Sequence, residues 1–95
     1  METKSKDLIA ARFAYNHMLR RVCAVQAQRA AEASYGVPEA DLTPWQGWSL
    51  PDLRRTWNAI KQWVAPWWSA CSKEAFNTGL ANLSAALSNW HASRT

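Results

Sequence analysis

The sequence predicts an all-α fold, a compact three- to four-helix antiparallel bundle formed by a single domain over residues 1–95. Apolar residues make up 48% of the chain, whereas Gly and Pro number three and four, which favours a folded helical chain. Long segments carry apolar residues at spacings of three and four, and short connections join them. The length leaves room for one core.

The first helix is expected over about residues 7–35. Ser5 or Asp7 can cap its free N–H groups, and Gly36 can end it. Arg29 stands where the next apolar residue is expected, so the last two turns should either extend beyond the core or pack against something outside the chain. The predicted buried stripe alternates by three and four and consists of Leu8, Ala11, Tyr15, Met18, Val22 and Val25.

Residues 37–48 contain two Pro and one Gly and are predicted to form an ordered loop. At least one of Trp45 and Trp48 is expected to fold back on the helices, because exposing both would be costly. The second helix is predicted over residues 50–64, with Ser49 as its cap and Pro51 in its first turn. Its predicted buried stripe consists of Leu50, Leu53, Trp57, Ile60 and Val64, and its flank of Arg54, Asn58 and Lys61.

Pro66 disfavours helical geometry at the preceding residue, so the second helix should end there, and a short turn is expected around residues 66–70. The last helix is predicted over residues 72–92, with Ser69 or Ser72 as its cap. Gly79 within it costs about 1 kcal/mol relative to Ala, which suggests close packing against a neighbouring helix. Its buried stripe is predicted to contain Phe76, Leu80, Leu83, Leu87 and Trp90.

The composition favours binding over catalysis. A formal charge of +4 and a pI near 9.5 suit a polyanionic partner. No pair of carboxylates suggests acid–base chemistry, and His17, His91, Cys23 and Cys71 have no further ligands at metal spacing. We therefore expect no enzymatic activity, no cofactor and no metal.

No apolar run approaches the roughly 20 residues of a membrane-spanning helix, and no signal peptide is visible, so a cytoplasmic protein without membrane contact is expected.

Two segments carry a more specific pattern. Arg12-Phe13-Ala14-Tyr15-Asn16 lies in the first helix, and the segment from Ser72 to Trp90 forms the last. With the helix and Trp-containing turn between them, this order resembles the N-terminal recognition region of the TnpB (OrfB-type) transposon-encoded RNA-guided DNA endonucleases, relatives of compact type V CRISPR effectors. In that family an RFxYN helix precedes a helix opening with Ser and Leu, a Trp-containing turn and a final helix rich in Ala and Leu.

The resemblance implies a recognition-type domain that binds DNA or guide RNA. The family's contacts to the short target-adjacent motif map onto Lys73 and Asn77, with Trp48 assisting. The family's basic N-terminal strand is missing, because residues 1–7 are too short and too charged to supply it. The three carboxylates of the nuclease domain also have no room here. The chain as given is therefore expected not to cut DNA.

Chemistry permits these roles, although each has a simpler structural alternative. Asn pairs well with adenine, and Lys donates to base acceptors or phosphate, but both residues could equally form a solvated helix face. Trp side chains can stack on unpaired bases, although core packing is the expectation for Trp57, Trp63 and Trp90. Arg12 opens the family-like motif, while Tyr15 is expected to pack in the core. The candidate phosphate contacts are Arg12, Arg20, Arg54, Arg55 and Lys61, which could equally be ordinary surface charge.

A protein-interaction module is the main alternative function. In that interpretation the Trp-rich loop and the end of the first helix dock on a host or partner protein, since such interfaces favour aromatic residues and Arg. A homodimer that forms through the incomplete apolar stripe of the first helix is a further alternative. A small enzyme is disfavoured, because no nucleophile–base or metal constellation is visible.

Overall fold

The computed structural model describes the backbone of residues 2–94 and the side chains of residues 7–69 and 71–93, and it confirms the all-α prediction for that backbone. Its α-helices are α1 (Glu2–Ser34), α2 (Leu50–Val64) and α3 (Lys73–Arg94), with single turns of 3-10 helix at Glu39–Asp41 and Trp68–Ala70. The second helix has the predicted bounds, and the turn after Pro66 lies where it was expected. The first helix begins at Glu2, so the predicted start near Ser5 or Asp7 is wrong. Glu and Lys in this segment are good helix formers and extend the helix.

Local signals in the sequence set the helix ends. The Ser49 hydroxyl accepts a hydrogen bond from the Asp52 N–H at 3.3 Å and caps α2. The Ser72 hydroxyl accepts one from the Ala75 N–H at 3.1 Å and caps α3, which resolves the choice between Ser69 and Ser72. Gly36 ends α1 at a φ of +84°, a left-handed conformation that Gly adopts without strain.

Consecutive helices run antiparallel, which places α1 and α3 side by side in the same direction. The Trp57 and Phe76 rings lie 5.2 Å apart, whereas Trp48 contacts His91 at 5.7 Å, so α2 and α3 run in opposite directions. A Cβ on Gly79 would collide with the Ala11 carbonyl oxygen. The predicted close packing at Gly79 is therefore confirmed, and this contact brings α1 and α3 together.

Most of the residues predicted to be buried on α2 and α3 lie in or against the core. On α1 the buried face differs from the predicted one by one to two residues in its N-terminal half. On α1 the buried residues are Ala10, Ala14, Met18 and Val22. Only Met18 and Val22 were predicted to be buried. Leu8, predicted to be buried, is 72% exposed. The small side chains of Ala10 and Ala14 allow α3 to approach closely, which favours them over bulkier neighbours. The rest of the core consists of Leu53, Trp57, Ala65, Ala75, Phe76, Leu80, Leu83 and Leu87.

The structure confirms some of the predictions for the tryptophans and contradicts others. Trp57 is only 2% exposed and belongs to the core, as expected. Trp63 and Trp90 were expected to pack, but they are 77% and 44% exposed. Trp48 is half-buried against the core, whereas Trp45 is 54% exposed, so one of the two loop tryptophans folds back as predicted. Trp63 lies on α2, six residues after Trp57 and on a different face from the buried Leu53 and Trp57, which explains its exposure.

The last turns of α1 hold the loop of residues 37–48. Arg29 donates to the Thr43 carbonyl oxygen at 2.7 Å, and its guanidinium lies 5.5 Å from the centroid of the Trp45 ring. The Glu32 carboxylate accepts from the Thr43 N–H at 2.7 Å and from its hydroxyl at 2.8 Å. These turns extend beyond the core residues of α1, which end at Val22, as expected, and they pack against this loop. Arg29 interrupts the apolar stripe because its partner is this loop.

Candidate nucleic-acid interface

Four of the predicted site residues line one cavity between α2 and α3. Arg54 and Lys61 come from α2, and Lys73 and Asn77 come from the first turns of α3. The cavity measures about 220 Å³. We call it the α2–α3 cleft, and its remaining lining residues are Trp57, Asn58, Glu74, Phe76 and Leu80.

Helical spacing explains the convergence. Arg54, Asn58 and Lys61 recur at four and three residues and therefore share one face of α2, while Lys73 and Asn77 are one turn apart on α3. Because the two helices run antiparallel, these faces meet along their length. The packed rings of Trp57 and Phe76 lie among the residues that line the cleft and give it an apolar part.

The cleft carries more positive than negative charge. Its three cations face a single carboxylate, that of Glu74. The Lys61 ammonium donates to the Asn58 side-chain oxygen at 3.2 Å and lies 4.2 Å from the centroid of the Trp68 ring. Among the side chains that the structure describes, the exposed Arg54 and Lys73 form no hydrogen bond or ion pair. Their charges are therefore available to an anion.

A second group of predicted residues lies along α1. Arg12, Asn16 and Arg20 line one open cavity of about 460 Å³, as their spacing of four predicts. We call this row the α1 ridge. Exposed Leu8 and Ile9 border its N-terminal end. The ridge therefore combines two arginines with an apolar edge.

Trp57 lies between the α1 ridge and the α2–α3 cleft. Phe13 and His17, which line the cavity at the ridge, contact the Trp57 ring at 6.1 Å and 6.2 Å between centroids. Burial lowers the pKa of His17, and the positive charges of Arg20 and Arg21 lower it further. His17 is therefore favoured as a neutral, packed ring.

Two predicted site residues lie outside both groups. Arg55 follows Arg54 directly, but its 81% exposed side chain pairs with Asp52 at 3.7 Å. Trp48 packs against the core and contacts His91, near the C-terminal end of α3, so it is not among the residues lining the cleft with Lys73 and Asn77. An aromatic residue does lie near the cleft cations, but it is Trp68.

The sequence analysis did not assign the other five lining residues to a site, and two of them are instructive. Asn58 was available from the flank pattern of α2, because it lies between Arg54 and Lys61 at helical spacing. The sequence analysis placed Trp57 only in the core. Whether Trp57 also lines the cleft depends on where α3 packs, and the spacing of residues within α2 does not specify the position of α3.

Among the side chains of residues 7–69 and 71–93, no group of His, Cys, Asp and Glu is arranged to hold a metal ion. Residues 2–94 contain no helix long and apolar enough to cross a membrane.

Comparison with known proteins gives a partial similarity. Two curated proteins of Mycobacterium tuberculosis, from strains CDC 1551 and H37Rv, are each 40% identical to this chain over 53 residues. Each is named as a candidate RNA-guided DNA endonuclease. The match covers 48% of this chain but only 12% of each relative. No family model matches the chain, and no solved structure matches it. The chain is thus similar, over about half its length, to a small part of these proteins.

Proposed function

We propose that this chain is a nucleic-acid-binding domain of the recognition type found in TnpB-like RNA-guided endonucleases, and that it binds DNA or guide RNA without cleaving it. The observation that carries the proposal is the convergence of Arg54, Lys61, Lys73 and Asn77 on one cleft. The partial similarity to candidate RNA-guided DNA endonucleases points to the same class of partner.

The cleft has the chemistry that such binding needs. Arg54 and Lys73 are exposed and unpaired within residues 2–94, so each can neutralise a phosphate without losing an internal partner. Arg54 and Lys61 of α2 and Lys73 of α3 line the cleft together with the apolar residues Trp57, Phe76 and Leu80. Asn77 adds amide groups that can read a base edge.

The α1 ridge supplies a second set of phosphate contacts. Arg12 and Arg20 are exposed and line the open cavity of the ridge together with Asn16, where they can neutralise phosphates.

The test is a titration of the purified chain against labelled duplex DNA, single-stranded DNA and structured RNA at low and moderate salt. The Lys73→Ala/Asn77→Ala double variant should bind at least one of these ligands several-fold more weakly. Arg55→Ala serves as the control, because Arg55 is paired with Asp52 outside the cleft. Absence of binding to all three ligands at low salt would refute the proposal.

A protein-docking function is the second candidate, and the exposure of Trp63 favours it. This side chain is 77% exposed on α2, where a large aromatic residue has no role in the core. Aromatic residues of this kind are enriched in protein interfaces. Nucleic-acid binding that is weak and unaffected by Lys73→Ala would support this alternative.

A further inference from the structure

The side of the α1–α3 pair that faces away from α2 is open. Phe13 and His17 contact Trp57 of α2, whereas Tyr15 and Leu19 each follow two residues later and therefore point to the opposite side of α1. Two cavities, of about 410 Å³ and 250 Å³, lie between α1 and α3 on that side. We call this surface the outer seam, and it is defined by Leu8, Ala11, Tyr15 and Leu19 of α1 and by Thr78 and Ala86 of α3.

The helix α1 therefore has two apolar faces, one in the core and one in the outer seam. The seam residues Leu8, Ala11, Tyr15 and Leu19 recur at spacings of three and four, as on one side of a helix. Leu8 is 72% exposed, and Tyr15 and Leu19 are half-buried against the edge of the core. A helix that is apolar on two sides usually packs against neighbours on both. Within this chain, only the core side has one.

The same side of α3 carries no charge. Between Ala75 and Ser93 the sequence contains no Asp, Glu, Lys or Arg. Thr78, Asn82 and Ala86 nevertheless recur every four residues at exposed positions of this segment. Helix faces in water usually carry charged side chains, whereas the centres of protein interfaces are depleted of them. On a chain of net charge +4, an exposed face without charge is typical of a surface that another protein covers.

We propose that the outer seam is the interface of a homodimer, in which the seams of two copies pack face to face around a twofold axis. The result is a four-helix core made of α1 and α3 from each copy. Among the side chains that the structure describes, those lining the cavity at Tyr15, Leu19 and Ala86 are all uncharged. Two copies can therefore meet there without burying an unpaired charge. The α2–α3 cleft lies on the other side and stays open, so this inference goes beyond the proposed function and does not depend on it.

The charges at one end of the seam favour an antiparallel arrangement. Asp7 and Glu74 line the seam near the N-terminal ends of α1 and α3. A parallel dimer would bring the carboxylates of both copies to the same end, where like charges repel, whereas an antiparallel dimer separates them. The antiparallel arrangement packs α1 on α1 and α3 on α3. It also brings the two copies of Cys23, an exposed free thiol in the uncharged cavity, close to the axis.

The size of the seam predicts a weak dimer. From Leu8 to Gln26, α1 spans about 27 Å at 1.5 Å per residue, and two helices side by side are about 20 Å wide. A face of about 540 Å² is smaller than the roughly 800 Å² per partner that a stable complex buries. We therefore expect a dissociation constant in the micromolar range, with dissociation on dilution.

The test is analytical ultracentrifugation of the purified chain without nucleic acid, from about 1 to 500 μM, a range that spans micromolar affinities. The wild-type chain should change from monomer to dimer, and added salt should not weaken the dimer, because salt screens the repulsion between two basic copies. Ala86→Glu places a carboxylate in each seam at an exposed position and should weaken dimerisation by at least about tenfold. Ser88→Glu has the same charge but lies on another side of α3, so it should dimerise like the wild-type chain. Asn82→Glu, in the same exposed row, replaces Ala86→Glu if that variant loses its helical circular dichroism.

Cross-linking through Cys23 tests the antiparallel arrangement. A short bismaleimide should join two copies of the wild-type chain and of Cys71→Ser, but not of Cys23→Ser. Ala86→Glu should lose this cross-link, and Ser88→Glu should keep it.

A wild-type chain that stays monomeric up to about 500 μM would overturn the proposal and assign the seam to a different occupant. A dimer that Ala86→Glu and Ser88→Glu weaken equally would also overturn it, because the interface would then lie elsewhere. A dimer that Ala86→Glu disrupts but that does not cross-link at Cys23 would overturn the antiparallel arrangement.

Discussion

Arg54 and Arg55 are adjacent in the chain but belong to different surfaces. Arg54 lines the α2–α3 cleft without a partner among residues 2–94, whereas Arg55 pairs with Asp52 at 3.7 Å. Successive residues of a helix point in different directions, about 100° apart at 3.6 residues per turn. The same charge is therefore present inside and outside the cleft, which provides a pair of variants for testing it.

The contact between α1 and α3 makes Gly79 intolerant of a side chain. We expect Gly79→Ala to lower the free energy of unfolding by about 1–2 kcal/mol, because overpacking costs about 1–3 kcal/mol and the better helix propensity of Ala offsets only part of it. The cause is the collision of the new Cβ with the Ala11 carbonyl oxygen. Chemical denaturation measures the effect. Ser88→Ala, at an exposed position of α3, should change stability little, and a stabilised Gly79→Ala would contradict the packing.

The loop of residues 37–48 should respond to acid through Glu32. Hydrogen bonds from Thr43 and Gln28 hold the pKa of Glu32 below its ordinary value of 4.5. The ionised carboxylate therefore stabilises the fold above that value, and the contribution is lost as pH falls through the lower folded pKa. In an NMR titration, the Thr43 amide signal should move with an apparent pKa below 4.5. Glu32→Gln should abolish this movement, and a midpoint above 4.5 would contradict the account.

The packed ring of His17 should titrate below its ordinary pKa. Burial is the main cause, followed by Arg20 and Arg21. Because the unfolded chain binds a proton more readily than the folded one, stability should rise with pH until it passes the ordinary value of 6.5 and fall on acidification below it. NMR titration of the ring protons measures this. Arg20→Ala should raise the His17 pKa, and a His17 pKa above 6.5 in the wild-type chain would refute the interpretation.

Trp57 and Trp63 lie on the same helix but should differ greatly in their contribution to stability. Trp57→Ala should cost about 3–5 kcal/mol, as removal of a large buried aromatic side chain usually does. Trp63→Ala should change stability by less than about 0.5 kcal/mol, because its side chain is 77% exposed. Thermal unfolding of the two variants provides the comparison. Similar losses of stability in both would mean that Trp63 packs against something.

The sequence was most informative where the signals were local. Ser49, Pro51 and Pro66 specify the bounds of α2, and Gly36 specifies the end of α1. The α1 stripe was harder to predict, because Leu8, Ala10 and Ala14 offer competing apolar faces. The choice between them depends on the close approach of α3 at Gly79. Arg29 could not be interpreted locally either, since its partner Thr43 lies 14 residues further along the chain.

In the candidate site, too, local spacing could be predicted from the sequence and tertiary packing could not. Spacing alone placed Arg54 with Lys61 and Lys73 with Asn77, but only the antiparallel packing of α2 and α3 brings the two pairs to one cleft.

The central claim is that nucleic acid binds in the α2–α3 cleft, and the most direct test is the salt dependence of affinity in Arg54→Ala and Arg55→Ala. Loss of one phosphate contact should reduce the slope of log affinity against log salt by about one unit. The account predicts this reduction, with several-fold weaker binding, for Arg54→Ala and a slope close to wild type for Arg55→Ala. Equal reductions in both variants would show that binding follows net charge and would contradict a site in the cleft.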